Sequence, residues 1–307
     1  MQQKENSTWR SEFARLEGAF AASTMRAYYA DVEHFESWCL AQALTPFPIG
    51  VTDLCHYLQA DAVVSSAATV RRRLYAVRKV HRLLRLPDPT FDEDVNIALR
   101  KVKRAKPIRP KQAKGLTAAY LDQFLAVQTD TPWGWRNCAM LSLGYDLLTR
   151  RSELVALQTD DIVPRGDGTL RVTIRRSKAD PFGMGRLTFT SRRTAVHVAK
   201  WLEWRGPDIA PLFCGIYQER PINRALEATF VKRLIKDAAR DVGLDLETVD
   251  AFSGHSMRVG AAQDLLTRGH DGIAIMRAGG WKSMGVLSRY LEYAEHNVWE
   301  TNPMVQA

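Results

Sequence analysis

The chain has 307 residues, of which 46% are hydrophobic, and its 43 Lys and Arg outnumber its 34 Asp and Glu to give a net charge of +9. This length predicts two domains, and the basic balance favours a polyanionic partner. No apolar run approaches the roughly 18 residues needed to cross a bilayer, and the polar start MQQKENSTWRSEF does not resemble a signal peptide. We therefore expect neither a membrane-embedded nor a secreted protein, and we place it in the cytoplasm.

The four cysteines show no pairing pattern. Cys39, Cys55, Cys138 and Cys214 are scattered along the chain without a C-x-x-C pair. We expect reduced core residues rather than disulfides or zinc ligands, and the sequence predicts no metal site.

The first hundred residues have the apolar spacing of helices and no strand pattern. Ser23 is predicted to cap a helix that keeps Tyr28, Val32, Phe35 and Cys39 on one face, and TPFPIG breaks it. Further helices are predicted from Thr52 or Asp53 through Tyr57, over about 66–86 and over about 91–104.

Two basic runs without acids follow one another in this half. The predicted helix at 66–86 contains seven Lys or Arg, and RKVKRAKPIRPKQAK at 100–114 contains eight, with prolines that discourage a helix after Ala105. Such runs are usually solvated faces, but without interspersed acids they favour a surface that neutralises phosphates. The predicted DNA-contacting residues are Arg71, Arg72, Arg73, Arg78 and Lys79 in the first run, and Lys101, Lys103, Arg104 and Lys106 in the second.

The second half has a mixed pattern. A helix is predicted to begin at Thr117, and a buried helix to follow over 134–148. Leu170–Ile174 and Arg186–Thr190 alternate like two strands around a Gly-containing turn. The remaining predicted helices span about 192–205, 223–242, 255–268, 271–278 and 283–294.

Two motifs place arginines beside groups that could orient or assist them. His255 and Arg258 share a helical face and would form a phosphate clamp. Arg150 lies where an apolar helix ends, and Glu153, three residues on, can orient its side chain. Taken singly, each motif is more commonly a surface pair or a helix-capping ion pair.

A third motif joins a tight turn to a tyrosine. In Gly279-Gly280-Trp281-Lys282-Ser283 the glycines permit a turn, Ser283 can cap the next helix and Trp281 can donate its indole N–H. Tyr290 is predicted to lie deep in that helix, where a tyrosine is by itself more often a core residue.

The order of these motifs is more informative than any one of them. R-x-x-E, a lysine between two strands, H-x-x-R, G-G-W and a tyrosine nine residues after the tryptophan follow in sequence. This arrangement resembles the catalytic domain of the tyrosine recombinase (phage integrase) family, and within it the Cre-like subgroup. The likeness covers about 115–300 and is strongest in HS-x-RVGAA-x-D and I-x-x-AGGW. Before that region it is only architectural.

The resemblance implies a mainly α fold with a small β-sheet in the catalytic domain, in the two-domain architecture of the family. We expect a helical, core-type DNA-binding domain at 1–106, a basic linker at 107–115 and a catalytic domain at 116–307 with a C-terminal docking helix.

Matched residue by residue, the resemblance also implies an active site. Its members are Tyr290, Arg150, Arg258, His255, Lys178, Trp281 and Glu153. Lys178 lies between the two predicted strands, and Trp281 stands where many relatives have a histidine. Arg151 is an alternative to Arg150, although the spacing to Glu153 favours Arg150, and Tyr293 is a fallback nucleophile that lies farther from Trp281.

The implied reaction is attack of the Tyr290 phenol on a DNA phosphodiester. Arg150, Arg258 and the Trp281 N–H would hold the non-bridging oxygens, and Lys178 would protonate the leaving 5′ oxygen. Either His255 or Glu153 would assist deprotonation of the phenol. The product is a 3′-phosphotyrosine that keeps the bond energy, so the resemblance implies no cofactor and no metal.

The implied partner is double-stranded DNA with an inverted-repeat target site. Four protomers would act on two sites, although the free protein can be a monomer, and we expect a nucleoid-associated, cytoplasmic enzyme. Val298 and Trp299 would dock the C-terminal segment on a neighbouring subunit. The alternatives are a telomere resolvase or type IB topoisomerase with the same chemistry, a catalytically inactive DNA-binding relative, and an RNA-binding helical protein.

Overall fold

A computed structural model of the chain describes residues 9–106, 112–176, 180 and 183–297. The chain divides into two compact units, Met1–Lys111 and Gln112–Ala307. Helices dominate both, and the described strands form small antiparallel sheets in the second unit. The predicted fold class, mainly α with a small β-sheet, is confirmed.

Unit 1 is helical over the part that the structure describes. Its helices are α1 (Trp9–Ala14), α2 (Ala22–Ala41), α3 (Val51–Val64), α4 (Ala67–Leu83) and α5 (Glu93–Ala105), with a 3-10 turn at Pro89–Phe91. The Ser66 hydroxyl caps α4 by accepting a hydrogen bond from the Thr69 N–H at 3.2 Å. The predicted cap at Ser23 is wrong, because the Ala21 carbonyl accepts the first helical bonds from Thr24 and Met25.

The core of unit 1 forms where α2, α3, α4 and α5 pack their apolar faces together. Phe35, Tyr57 and Leu74 are fully or almost fully buried there. A smaller cluster around Trp9 and Phe13 attaches α1, which the sequence did not predict. Arg100–Ala105 belongs to α5, which agrees with the helix predicted over about 91–104, and 107–111 of the linker predicted at 107–115 lies outside the described residues.

Unit 2 combines helices with two small sheets. Its described helices are α6 (Ala118–Ala126), α7 (Pro132–Asp146), α8 (Arg151–Val155), α9 (Arg192–Arg205), α10 (Ala228–Asp241), α11 (Leu246–Ala251), α12 (Ser256–Thr267), α13 (Gly272–Gly279) and α14 (Met284–Leu291). One antiparallel sheet has the order β1 (Ile162–Pro164), β2 (Leu170–Ile174) and β3 (Arg186–Phe189), and β4 (Cys214–Tyr217) pairs with β5 (Arg220–Ala225).

Two predicted helices of unit 2 differ from the structure. The helix predicted over 223–242 begins only at Ala228, because the preceding residues pair with β4, as in Ile222 opposite Gly215. The helix predicted over 283–294 ends at Leu291, so Tyr290 lies near its C-terminal end rather than deep within it. Among the described residues, no helix is both long and apolar enough to cross a membrane.

Close backbone packing brings α12 against the segment that precedes α6. Gly260 lies directly against the Leu116 backbone, and the Leu116 N–H donates to the Ser256 carbonyl at 2.8 Å. A Cβ atom at Gly260 would overlap the carbonyl of Leu116, which is itself fully buried. This contact positions the start of α12, where the predicted site residues His255, at the N-cap, and Arg258, in the first turn, are located.

We expect Gly260→Ala to lower the free energy of unfolding by about 1–3 kcal/mol, because backbone cannot move aside as a flexible side chain can. The urea unfolding midpoint measures this effect. Gly285→Ala is the matched control: nothing approaches its Cβ position, so helix propensity should leave stability unchanged or raise it by up to about 1 kcal/mol. Equal midpoints for the two variants would contradict the role of the contact.

Candidate active site

The candidate site is built around the turn that joins α7 to α8. Leu148 adopts the left-handed conformation with φ 48°, and Arg150 then takes the N-cap position of α8. Oε2 of Glu153 accepts a hydrogen bond from the backbone N–H of Arg150 at 3.1 Å, and Oε1 accepts one from Nη1 of the Arg150 side chain at 2.5 Å. The sequence offered two alternatives for this pair, a helix-capping ion pair or an arginine oriented by a glutamate. In the structure Glu153 does both, because it caps α8 and also holds the Arg150 side chain.

Arg258 lies in the first turn of α12 and is completely buried. Its Nη1 donates to the Leu148 carbonyl, whereas Nε and Nη2 have no partner among the residues that the structure describes. Burial, followed by repulsion from Arg150, lowers the pKa of Arg258 to about 10, so the group stays cationic at neutral pH. A buried cation with open donors is suited to binding an anion.

Trp281 lies against this guanidinium. The Arg258 Cζ is 3.9 Å from the centroid of the indole ring, and the indole Nε1 is buried without a partner in the described part of the chain. The turn before it requires two glycines: Gly280 has φ 67°, and a Cβ at Gly279 would overlap the Trp281 ring. The G-G-W motif thus presents one more open donor beside Arg258.

Tyr290 completes the cluster from α14. Its ring is 5.0 Å from that of Trp281 in an edge-to-face arrangement, and its centroid is 5.6 Å from the Arg258 Cζ. The residue is half-buried. Tyr293, the alternative nucleophile, follows the end of α14 and is 54% exposed.

His255 occupies the N-cap position of α12, with an exposed surface. The protein atoms on its other side desolvate the imidazole and lower its pKa below the ordinary 6.5, and the positive charges of Arg151, Arg258 and Arg150 add to this shift. A hydrogen bond with the Gly254 backbone opposes it only in part. His255 is therefore neutral at pH 7 and able to accept a proton.

Arg186 is a site residue that the sequence analysis missed. From the start of β3 its Nη1 donates to the Ala278 carbonyl at 2.5 Å and its Nη2 to the Leu147 carbonyl at 2.9 Å. The Nη2 atom is also 4.0 Å from Oε2 of Glu153. The sequence offered one signal for this residue, namely that an arginine stands at the first position of a predicted strand. Lys178 lies outside the described residues.

The predicted DNA-contacting residues of α4 are less free than their sequence suggested. Arg72 forms a bidentate pair with the buried Asp31, at 2.7 and 2.8 Å, and Arg73 pairs with the buried Asp61. The acids come from α2 and α3, which explains why no acid was visible in the run itself. Arg78 donates to the Thr90 hydroxyl at 2.8 Å.

Other predicted contacts of unit 1 remain at the surface. Arg71 is exposed and donates to the Tyr75 hydroxyl at 2.9 Å, and Lys79 is half-buried with its ammonium 5.1 Å from the Phe20 ring centroid. On α5, Lys101 and Arg104 are exposed on one face and form no ion pair among the described residues. Lys103 is half-buried, and Lys106 donates to the Val63 carbonyl at 3.3 Å.

The site chemistry is that of an anion-binding centre beside a phenol. The Arg258 guanidinium and the Trp281 indole, which both retain open donors, lie against the Tyr290 ring, and the charge of Arg258 also acts on the neutral His255 imidazole. Within the described ranges, no cluster of three or more His, Cys, Asp or Glu could hold a metal ion.

Comparisons with known proteins match most of this chain to one family. The model of the phage integrase family matches residues 114–296. The Cre recombinase of Escherichia phage P1 is 28% identical over 310 residues, which cover 94% of this chain and 88% of that protein. An integrase/recombinase XerD homologue of Selenomonas ruminantium is 28% identical over 302 residues, which cover 94% of this chain and 86% of the relative.

Solved structures share the fold. The XerH site-specific recombinase in a post-cleavage complex with a palindromic difH substrate superposes with a TM-score of 0.70 at 16% identity, covering 94% of this chain and 82% of that one. A lambda integrase tetramer bound to a Holliday junction superposes with a TM-score of 0.66 at 17% identity, covering 97% and 81%.

The lowered pKa of His255 is open to measurement by NMR titration, with the His255 signal assigned from its absence in His255→Gln. We expect a midpoint below 6.5, and Arg151→Gln should raise it, because a neighbouring positive charge is removed. The imidazole of His255 binds a proton more readily in the unfolded chain than in the folded protein. The contribution of His255 to the free energy of unfolding should therefore decline as the pH falls through the pKa that His255 has in the unfolded chain.

Arg240→Gln is the matched control for that titration, since Arg240 pairs with Asp237 on the surface of α10. This variant should leave the His255 midpoint where it is. A midpoint at or above 6.5 in the unmodified protein would show that His255 is not desolvated as the structure implies.

Proposed function

This chain belongs to the phage integrase family, as the motifs predicted, and we propose that it is a site-specific DNA recombinase acting through a 3′-phosphotyrosine intermediate. The observation that carries the proposal is the contact of Tyr290 with Arg258 and Trp281, which together retain three buried, unpartnered donor groups within the described residues. Buried donors without partners are costly, so they favour a site made for an external anion such as a phosphodiester. The curated relatives match nearly all of this chain and most of their own lengths.

In the proposed first step, the Tyr290 oxygen attacks phosphorus, and the bond to the 5′ oxygen breaks. Arg258 and Arg150 stabilise the charge that develops on the non-bridging oxygens, with the Trp281 N–H as a further donor. Lys178 gives a proton to the leaving oxygen. A 5′ hydroxyl from another strand then attacks the phosphotyrosine and releases Tyr290, which requires neither a cofactor nor a metal.

The structure supports dividing the roles of His255 and Glu153. Both carboxylate oxygens of Glu153 already accept hydrogen bonds from Arg150, and its side chain is 2% exposed. Its role is therefore to orient Arg150. His255 is exposed and neutral at pH 7, which suits it to accept the phenol proton of Tyr290.

Recombination between two duplexes requires four strand cuts, and each protomer offers one Tyr290. We therefore propose a homotetramer acting on two inverted-repeat sites; the lambda integrase bound to a Holliday junction is also a tetramer. The residues proposed to dock the C-terminal segment on a neighbouring subunit, Val298 and Trp299, lie outside the described range.

Tyr290→Phe should bind DNA like the unmodified protein and form no covalent complex, because only the attacking oxygen is removed. Since the target sequence is unknown, the substrate is a pool of nicked duplexes with a randomised core, from which covalent complexes are isolated and sequenced. Mass spectrometry of the trapped peptide should place the DNA on Tyr290, in the presence of EDTA.

Tyr293→Phe is the control for this assay and should form the covalent complex at the normal rate. Trapping on Tyr293, or a requirement for a divalent metal, would overturn the proposed mechanism. Failure of the unmodified protein to trap any member of the pool would reject the recombinase function itself.

For DNA binding by unit 1, the exposed cations of α5 are the best-supported candidates. In the double variant Lys101→Gln with Arg104→Gln, the slope of log Kobs against log salt concentration should become less steep by about 0.9 for each phosphate that is no longer neutralised. Any duplex of mixed sequence can serve as the ligand. The control is Arg73→Gln: this side chain is only 16% exposed and pairs with Asp61, so the substitution should lower stability rather than the salt slope. An unchanged slope in the double variant would exclude both side chains from the DNA interface.

A further inference from the structure

Arg186 contacts two separate segments of the candidate site, the turn between α7 and α8 and the turn at the end of α13. Its guanidinium joins the start of β3 to the carbonyl that ends α7 and to a carbonyl in the last turn of α13. It also lies beside the Glu153 carboxylate, at 4.0 Å. One side chain thus connects the Arg150–Glu153 turn with the Gly-Gly turn that precedes Trp281.

The Gly-Gly turn is shaped around this side chain. A Cβ at Gly280 would lie 2.8 Å from the Arg186 Cδ and 2.9 Å from its Nε. Gly280 therefore has two requirements for glycine, its φ of 67° and the space that Arg186 fills. Such close packing means that moving Arg186 would free the turn.

The Leu147 and Leu148 carbonyls hold two different arginines. Leu147 accepts from Arg186 and Leu148 from Arg258, at the point where Leu148 reverses the chain with φ 48°. Arg258 in turn packs on the Trp281 ring, whose position follows from the turn that Arg186 holds. The two guanidiniums and the indole therefore form one connected arrangement.

We infer that Arg186 is a positioning residue that holds the Gly279–Gly280 turn, and through it the Trp281 indole, against Arg258 in the geometry that strand cleavage requires; the catalytic part of this inference rests on the proposed function. Arg186 acts through these neighbours and does not contact the scissile phosphate. A lysine cannot replace it, because one ammonium lacks the planar fork that reaches two carbonyls on different segments.

The first test needs no DNA and follows Trp281 directly. In protein labelled with 5-fluorotryptophan, the Trp281 ¹⁹F resonance is assigned from its absence in Trp281→Phe. Arg186→Lys should shift or broaden that resonance, because the turn is released, while the resonance of the distant core residue Trp201 stays in place. An unchanged Trp281 resonance would overturn the inference, whatever reaction the protein catalyses.

Arg205→Lys is the matched control. Arg205 is a buried arginine of unit 2 that, like Arg186, donates to two carbonyls, those of Ile209 and Pro211, yet none of its partners belongs to the site. Arg205→Lys should lower the free energy of unfolding about as much as Arg186→Lys does, but it should leave the Trp281 resonance unchanged. An equal shift of that resonance in both variants would reduce Arg186 to a general stabilising residue.

The second test measures covalent trapping on the nicked duplexes that the unmodified protein selects. Arg186→Lys should cleave about 10- to 100-fold more slowly at unchanged DNA affinity, as expected for a misplaced group. The loss should shrink in the Trp281→Phe background, because both changes then act through the same indole. Full additivity, or a normal rate in Arg186→Lys, would refute the catalytic part of the inference.

A neutral methylphosphonate at the cut separates positioning from direct contact with the phosphate. This substrate carries less charge, so it should relieve the defect of Arg258→Gln but leave that of Arg186→Lys. Relief of the Arg186→Lys defect would mean that Arg186 itself binds the phosphate. If the unmodified protein traps no duplex, the proposed function fails, whereas the ¹⁹F result still decides whether Arg186 positions Trp281.

Discussion

The hydrogen bonds from two arginines, the half-buried Arg186 and the fully buried Arg258, to consecutive carbonyls at the end of α7 organise the candidate site. Because Leu148 reverses the chain, the Leu147 and Leu148 carbonyls are available to Arg186 and Arg258 instead of to another turn of helix. The next residues then cap α8 and hold Arg150 against Glu153. Disruption of this turn would therefore displace all three guanidiniums together.

These arginines also determine the electrostatics of the site. Three guanidiniums, those of Arg150, Arg186 and Arg258, surround one carboxylate, that of Glu153, so the cluster has an excess of positive charge. Burial makes this excess costly in the free protein, and it lowers the pKa values of Arg186 and Arg258. An anion bound against the open donors would offset that cost. Desolvation first, and then the positive charges of Arg151, Arg258 and Arg150, lower the pKa of His255, so this imidazole is neutral and ready to accept a proton.

Unit 1 uses its basic residues for two purposes. Arg72 and Arg73 neutralise Asp31 and Asp61, which are almost completely buried and would be strongly destabilising without partners. Lys101 and Arg104 on α5 neutralise no buried acid within the described residues, so they are the side chains that we propose for contact with a phosphate backbone. The number of positive charges in a basic run of the sequence is therefore an upper limit on the number that can contact a ligand, because some of them neutralise buried acids.

The sequence by itself determined the family, the fold class and the identity of most of the candidate site. Local signals were enough for these, since H-x-x-R, R-x-x-E and G-G-W lie within short segments whose chemistry and order are informative without a structure. The helix predicted over about 66–86, the end of α5 at Ala105 and the strand Leu170–Ile174 likewise follow from apolar spacing, prolines and alternation.

Tertiary structure decided what depends on partners distant in the chain. The end of β5 was mistaken for the beginning of a helix because this strand is stabilised by pairing with β4 rather than by its own pattern. The role of Arg186 was invisible because its carbonyl partners lie 39 and 92 residues away. The pairing of Arg72 and Arg73 was missed for the same reason, since Asp31 and Asp61 belong to other helices. A sequence pattern reports neighbours along a helix or strand, whereas a buried charge is satisfied by whichever group the fold brings to it.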